Sequence, residues 1–255
     1  MAVLMNGIRL YLRYIGISIK SQMQYKGSFF MQTIGHLLIT GLEFFGVWAL
    51  FDRFGSLPNW RLEEVAFFYG MVNIQFAFAD ALARGFDMFA GFVKQGDFDR
   101  LLVRPRSTVV QLMGHELTLR RIGRLAQGAA VLGWSLSVLP IDWSVPLVLL
   151  CVFAFAGGVA LFVGLVIIQA TIAFWTVESL EIMNTLTYGG VETAQYPLSL
   201  YRKGFQRFFT FGVPLACVSY FPLSVVLGKL PAGTSLWFGG ASPLVGFLFV
   251  GLALV

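Results

Sequence analysis

The chain has 255 residues, 57% of them apolar and only 12% charged, with a formal net charge of +5 at pH 7. Soluble domains carry about 25% charged residues, so this composition, with a mean hydropathy of +0.77, argues against a soluble globular protein. Long continuous apolar runs argue against a β-barrel, whose strands alternate, and the basic excess reads as cytoplasmic loops of a membrane protein and not as a nucleic-acid surface.

At about 20 residues per span plus loops, roughly six helices fit. The predicted fold is all-α: a polytopic membrane protein of one domain, 1–255. Residues 1–27 predict an amphipathic helix. Leu4, Ile8, Tyr11, Leu12, Ile15 and Ile19 gather on one face, with Arg9, Arg13 and Lys20 opposite. That pattern fits a helix lying in the membrane interface; a cytosolic helix packed on a neighbour is the other reading. Residues 28–51 predict the first span, which holds a single acid, Glu43. After a polar tip, residues 65–89 predict the second span. Asp80, Arg84 and Asp87 follow at i, i+4 and i+7, share one helical face and are placed to pair.

Next comes "GDFDRLLVRPRS", residues 96–107, where Asp97, Asp99, Arg100, Arg104 and Arg106 crowd into an otherwise apolar chain. Gly96 breaks the preceding helix, Asp97 is a suitable N-cap, and Pro105 closes the new helix. Phe98, Leu101 and Leu102 are expected to form its apolar face. So short a helix is unstable alone in water and needs a groove, supplied by this chain or by a soluble partner; an ordinary loop helix resting on the membrane is the alternative.

Residues 120–140 predict the third span, with Arg120, Arg121 and Arg124 snorkelling at its inner end and Glu116 one turn before Arg120. Residues 145–173 form the clearest span, bracketed by Trp143 and Trp175. There Ala156, Ala160 and Gly164 make a stripe suited to close helix approach. Residues 174–196 and the proline-broken stretch 201–228 compete as fifth span. A last span, 235–255, runs apolar to Val255, which leads us to expect further residues beyond it in the whole protein. Four basic residues and no acid before the first span, and seven from Lys94 to Arg124, place the N-terminus and residues 96–107 in the cytoplasm.

The phrase "GDFDRLLVRP" after the second span, with the basic N-terminal helix, six spans and the later "FW…YPLSLY…FGVPLACVSYFPLSVVLG", resembles the permease subunits of ABC-2 type exporters. The phrase "FDRLLVRP" is similar to one branch of that class, small bacterial permeases related to daunorubicin-type drug exporters, and the likeness runs over nearly the whole chain. The resemblance implies that Asp97, Phe98, Asp99, Arg100, Leu101, Leu102 and Arg104 form a coupling helix seated in an ATP-binding subunit. It implies two ATPase subunits, a second permease subunit (identical or homologous), and a place in the bacterial inner membrane. ATP and magnesium would sit on the partner, with no cofactor in this chain. It also favours 174–196 as the fifth span and 201–228 as a re-entrant outer hairpin. Against this, Arg202, Lys203 and Arg207 would then lie outside; with 208–228 as the span they would not.

Glu43 and Asp80 are the candidates for a substrate pathway, because acids inside a membrane are costly and face an interior or a cavity. For Glu43 the plain alternative is a hydrogen bond to a neighbouring helix, and for Asp80 an internal salt-bridge set with Arg84 and Asp87. Glu178 and Glu181 are expected to pair with Arg120, Arg121 or Arg124 at an inner gate. His36 and His115 have no partnering ligands nearby and read as packing or surface residues. Cys151 and Cys217 read as small core residues.

The predicted function is that of an export permease driven by a separate ATPase, since no phosphate-binding G-x-x-x-x-G-K-[ST] loop is present. An intramembrane enzyme finds no nucleophile–base or metal constellation here. A non-transporting assembly protein is the third reading.

Overall fold

The computed structural model describes residues 2–55, 57–105, 107–114, 122–176 and 180–255. Expectations for Arg106, His115, Glu116, Arg120, Arg121 and Glu178, and for the side chains of Leu4, Ile8, Arg9, Leu12, His36 and Glu181, fall outside what is described. The protein is an all-α polytopic membrane protein. Among the described residues the β content is one isolated bridge, Leu57 to Trp60.

Helix α1 (Ala2–Gln22) passes through a 3-10 turn, Met23–Tyr25, into α2 (Lys26–Phe54). Gly55, at φ 80°, stops α2 in a conformation that a side chain would resist. Helix α3 (Leu62–Asp87) then begins with the Arg61 amide donating to the Glu64 carboxylate at 2.9 Å. Glu63 and Glu64 in its first turn complement the helix dipole. Short helices α4 (Phe89–Gln95), α5 (Phe98–Leu102) and α6 (Thr108–Met113) follow, then α7 (Ile122–Val138) and α8 (Val145–Ile172). Helix α9 is Leu180–Ala194.

Helix α3 is the central post, buried against α7, α8, α9 and α6. Its neighbours come close because glycine removes a side chain at each crossing. A Cβ at Gly70 would stand 2.8 Å from the Leu132 backbone of α7, and one at Gly85 would overlap the Leu112 carbonyl of α6. In the next layer, Gln75 donates to the Ala154 carbonyl of α8 at 3.0 Å. Helix α1 does not stand free: Tyr14 packs on Gly114 just after α6.

After α9 the chain makes α10 (Lys203–Arg207) with a π-helical turn, Phe208–Gly212, then α11 (Leu215–Val218) and α12 (Tyr220–Val226). The two arms bend by 76° about Val213 and Pro214, where proline offers no amide to continue a helix. Both ends of this segment return to one tip. The Trp60 indole donates to the Ser199 hydroxyl at 2.9 Å, and Lys229 reaches the Asn59 carbonyl and the Glu64 carboxylate, each at 2.7 Å. Lys229 also stands 5.1 Å from the centre of the Trp60 ring. Residues 203–228 therefore enter and leave at the same end of the bundle. Replacing Lys229 with Met strands the buried Glu64 carboxylate. The expected cost is about 1.5–3 kcal/mol, read as a lower Tm in detergent and as faster labelling of a cysteine placed at Ser199.

The last segment breaks into α13 (Leu236–Ala241) and α14 (Leu244–Ala253) at Ser242 and Pro243. It packs along α8 through Gly157, where an added Cβ would lie 2.6 Å from the Pro243 carbonyl, and through Gly164 against Phe249 at 2.8 Å. The expected small-residue stripe is thus displaced: Gly164 serves, but Ala156 and Ala160 are only half-buried and Gly157 makes the closest contact.

Three stretches among the described residues are long and apolar enough to cross a membrane: Arg13–Arg53, Leu62–Gln95 and Val145–Ile172. Counting the bent pair as one span gives a fourth. Helices α7 and α9, with 17 and 15 residues, fall short by length, and the last apolar stretch is split by Pro243. Among the described residues the length criterion therefore gives three or four spans.

Candidate functional site

The charged insert lies at the end of the bundle opposite the Trp60 tip. Gly96, at φ 73°, ends α4 in the left-handed conformation, and the Asp97 amide donates back to the Phe92 carbonyl at 3.0 Å. Asp97 holds the N-cap place of α5, but its carboxylate makes no cap bond. It pairs instead with Arg100 at 3.1 Å. The reason is local: its own backbone is already helical, which turns the side chain away from the first-turn amides. Chain direction then changes before Pro105, and the Gln111 side chain of α6 donates to the Leu101 carbonyl at 3.2 Å, closing the far end of α5.

Helix α5 is held from within by two side chains. Leu101 is 6% exposed. Phe98 joins a triad of rings with Phe89 and Phe174, the three centroids 5.0 to 5.2 Å apart and edge-on to one another. Such aromatic contacts each add about 0.5–1.5 kcal/mol beyond burial. The triad ties α5 to α4 on one side and to the residues just after α8 on the other. A cavity of about 270 Å³ opens beside it, lined by Phe86, Phe98, Thr108, Ile167, Phe174 and Leu254 among others.

Leu102 corrects the expected apolar face. It is 56% exposed and stands next to Val103, 82% exposed, with Asp99, Arg100 and Arg104 also outward. A helix of five residues makes barely more than one turn, so the inner face admits only Phe98 and Leu101. The outer face is consequently mixed: two apolar knobs flanked by two arginines and an aspartate.

Behind the insert, Arg84 bonds to Asp87 and lies 3.9 Å from Asp80, while Gln169 of α8 donates to Asp87 at 3.1 Å. Asp80 is buried and lies one turn from Arg84 in its own helix, which places this carboxylate in the α3 salt-bridge set. The set binds the ends of α3 and α8 into one unit at the level of the aromatic triad.

Glu43 is half-buried on α2, one turn from Thr40, whose carbonyl accepts from the Tyr69 hydroxyl at 3.1 Å. Arg124 is placed by α7. Its guanidinium sits 5.3 Å from the centre of Phe76, near the middle of α3, because α7 runs antiparallel to α3 with Leu132 against Gly70 and Gly128 against Asn73. The residues that sequence reasoning passed over here are Phe89, Phe174 and Gln111. All are visible as residues, but their meeting depends on tertiary contacts. No group of three or more metal-ligating side chains occurs among the described residues.

Comparison with protein families matches residues 37–255 to the family described as ABC-2 family transporter protein. No curated protein and no solved structure matches the chain. The match covers all helices from within α2 to α14, including the insert and its aromatic seat. A permease of this kind works with an ATP-binding subunit, and the chain belongs to the ABC-2 family of transporter proteins.

Proposed function

We propose that the protein is the permease subunit of an ATP-driven exporter in the bacterial inner membrane, and that residues 96–107 are gripped there by a separate ATP-binding subunit. The observation that carries this reading is the two-sidedness of α5. Its inner face is fixed to the bundle by Leu101 and the Phe98 ring triad, while Leu102, Val103, Arg100 and Arg104 stand out into solvent. A surface loop resting on lipid has no use for such a firm inner anchor. A lever needs both a grip outside and a rigid link inside.

Through that link, movement of α5 passes to the Phe89 end of α4 and so to α3, and through Phe174 to α8. The salt-bridge set of Arg84, Asp87 and Gln169 makes those two helices move together. Two copies of the ATP-binding subunit and a second permease, identical or homologous, complete the assembly in this reading. The basic N-terminal segment and insert face the cytoplasm. Residues 203–228 form a hairpin re-entering from the outer side, supported by the common tip at Trp60. Arg202, Lys203 and Arg207 then lie in the outer interface beside the exposed rings of Phe205, Phe208 and Phe211, an arrangement that suits cations among headgroups and rings at the acyl boundary. The cargo is a hydrophobic or amphiphilic molecule moving outward.

Two measurements test the reading. Gentle purification of the tagged permease should bring down an ATP-hydrolysing subunit, and a cysteine at Arg104 should crosslink to it. Recovery of the permease without any nucleotide-hydrolysing companion overturns the proposal. A cysteine at Lys203 should react with an impermeant reagent added to intact spheroplasts; protection there, with labelling only after lysis, overturns the hairpin.

A further inference from the structure

Far from the coupling face, a charged cluster sits at mid-depth of the bundle. Helix α9 presents Asn184, Thr185 and Glu192 outward, and no large apolar side chain among its described ones is exposed. Helix α8 shows the opposite, with Val145, Val148, Leu149 and Val152 exposed. A helix crossing lipid presents the second pattern to hydrocarbon, never the first. The α9 face therefore looks onto water or bound solute.

Its neighbours at the same level are charged as well. Tyr188 of α9 and Arg124 of α7 both lie 5.3 Å from the Phe76 ring. Two turns towards the tip, Tyr69 accepts from the Gln127 amide at 3.2 Å and packs on Phe44. Glu192 lies one turn beyond Tyr188 on α9 and Glu43 stands beside Phe44 on α2, so both acids fall near the stretch between Phe76 and Tyr69. Helices α2, α7 and α9 thus bring two carboxylates and one guanidinium to one place. Among the described residues, Arg124 is the basic side chain at this level, against two acidic ones.

The hydrogen bonding is lopsided in the same sense. Gln127, 8% exposed, spends its amide on Tyr69 and leaves its carbonyl oxygen buried with no donor. One oxygen of Glu43 and the side-chain oxygen of Asn73 are in the same position, against a single unmet donor, the Nη1 of Arg124. Buried acceptors without donors are costly. Among the described residues, these acceptors would be met by a positively charged group with several N–H bonds.

We propose that Glu43, Gln127 and Glu192 form a binding site for the protonated primary or secondary amine of an amphiphilic molecule. The ammonium N–H groups donate to the carboxylates and to the Gln127 carbonyl, while Phe44 and Tyr188 flank the apolar part. Arg124 restrains both acids, so that the empty site does not carry two unbalanced charges. This names a cargo class and rests on the permease reading, but its test does not use the ATPase.

Dansylcadaverine, an amphiphilic primary amine, and its N-acetyl derivative, which is neutral, are titrated onto the full chain in lipid nanodiscs and followed by dansyl fluorescence. The amine should bind at least about tenfold more tightly than the acetylated probe, as expected for a charge-assisted hydrogen bond. Glu43→Gln and Glu192→Gln should each remove most of that preference and leave binding of the neutral probe unchanged; Glu43→Asp should keep part of it. Equal binding of the two probes by the wild-type chain overturns the proposal without any variant. So does an undiminished preference in both glutamine variants. Loss of ATPase association with the amine preference intact would sink the coupling reading and leave this site standing.

Discussion

Replacing Leu102 and Val103 together with glutamate is expected to abolish transport while leaving the permease folded. Both side chains are mostly in solvent, so their loss removes no core contact and should leave the Tm within about 1 kcal/mol equivalent of wild type. On the partner side the effect is large. Truncating a central apolar anchor at an interface costs about 2–4 kcal/mol, which is roughly a thirtyfold to thousandfold weakening of docking, and two introduced negative charges add desolvation cost. The measurement is recovery of the ATP-binding subunit on the tagged permease, together with transport in inverted vesicles. Arg104→Glu should act in the same direction more weakly. Normal recovery and normal transport in the double variant would show that this face is not gripped.

Phe98 distinguishes grip from transmission. It points inward to Phe89 and Phe174, so Phe98→Ala leaves the outer face of α5 in place and loosens its seat. Large-to-small changes at aromatic core positions cost about 3–5 kcal/mol when burial is complete, and less here because Phe98 is half-buried. The expected result is near-normal recovery of the ATP-binding subunit, retained ATPase activity and reduced transport. An aspartate at the same position would place a charge against the two remaining rings, Phe89 and Phe174, and unfold the seat, which makes it a poorer probe.

The parts of the molecule legible in the sequence are those fixed by local chemistry. Val145–Ile172 is apolar on every side and bracketed by tryptophans, and no tertiary contact is needed to see a helix there. Gly96 marks the start of α5 because it acts on its own backbone, whereas the helix ends at Leu102, before the expected stop at Pro105. The orientation of Leu102 is different. Over five residues the helical period does not fix which side faces inward, and the choice is made by Phe89 and Phe174, twelve positions before Leu101 and seventy-two after Leu102 in the chain. The depth of Arg124 was hidden for a related reason. Its apolar run is short, so an inner-end position looked natural, whereas the register of α7 on α3 is set by Gly70 and Gly128 and carries the arginine to the level of Phe76. Asp97 shows the limit of a capping rule: the residue occupies the right place, but a nearby Arg100 and a helical backbone take its carboxylate elsewhere.

The same dependence on register makes Gly246→Val a severely damaging change. A Cβ at Gly246 would overlap the backbone carbonyl of Gly157, and the neighbouring atoms include Val218 of α11 at 3.0 Å. Backbone has no rotamer to yield, so α14 must withdraw from α8 along its length. In lipid there is no hydrophobic force to press the helices back together, and packing contacts carry most of the association. Overpacking of a well-filled site costs about 1–3 kcal/mol in general, and here the adjoining contact of Gly164 with Phe249 would loosen with it. The expected outcome is a sharp fall in detergent-stable monomer by size-exclusion chromatography and loss of membrane-inserted protein. Gly251→Val, where an added Cβ meets nothing within 4 Å, is the control and should behave as wild type. If Gly246→Val is equally well tolerated, α14 does not pack on α8 through these glycines.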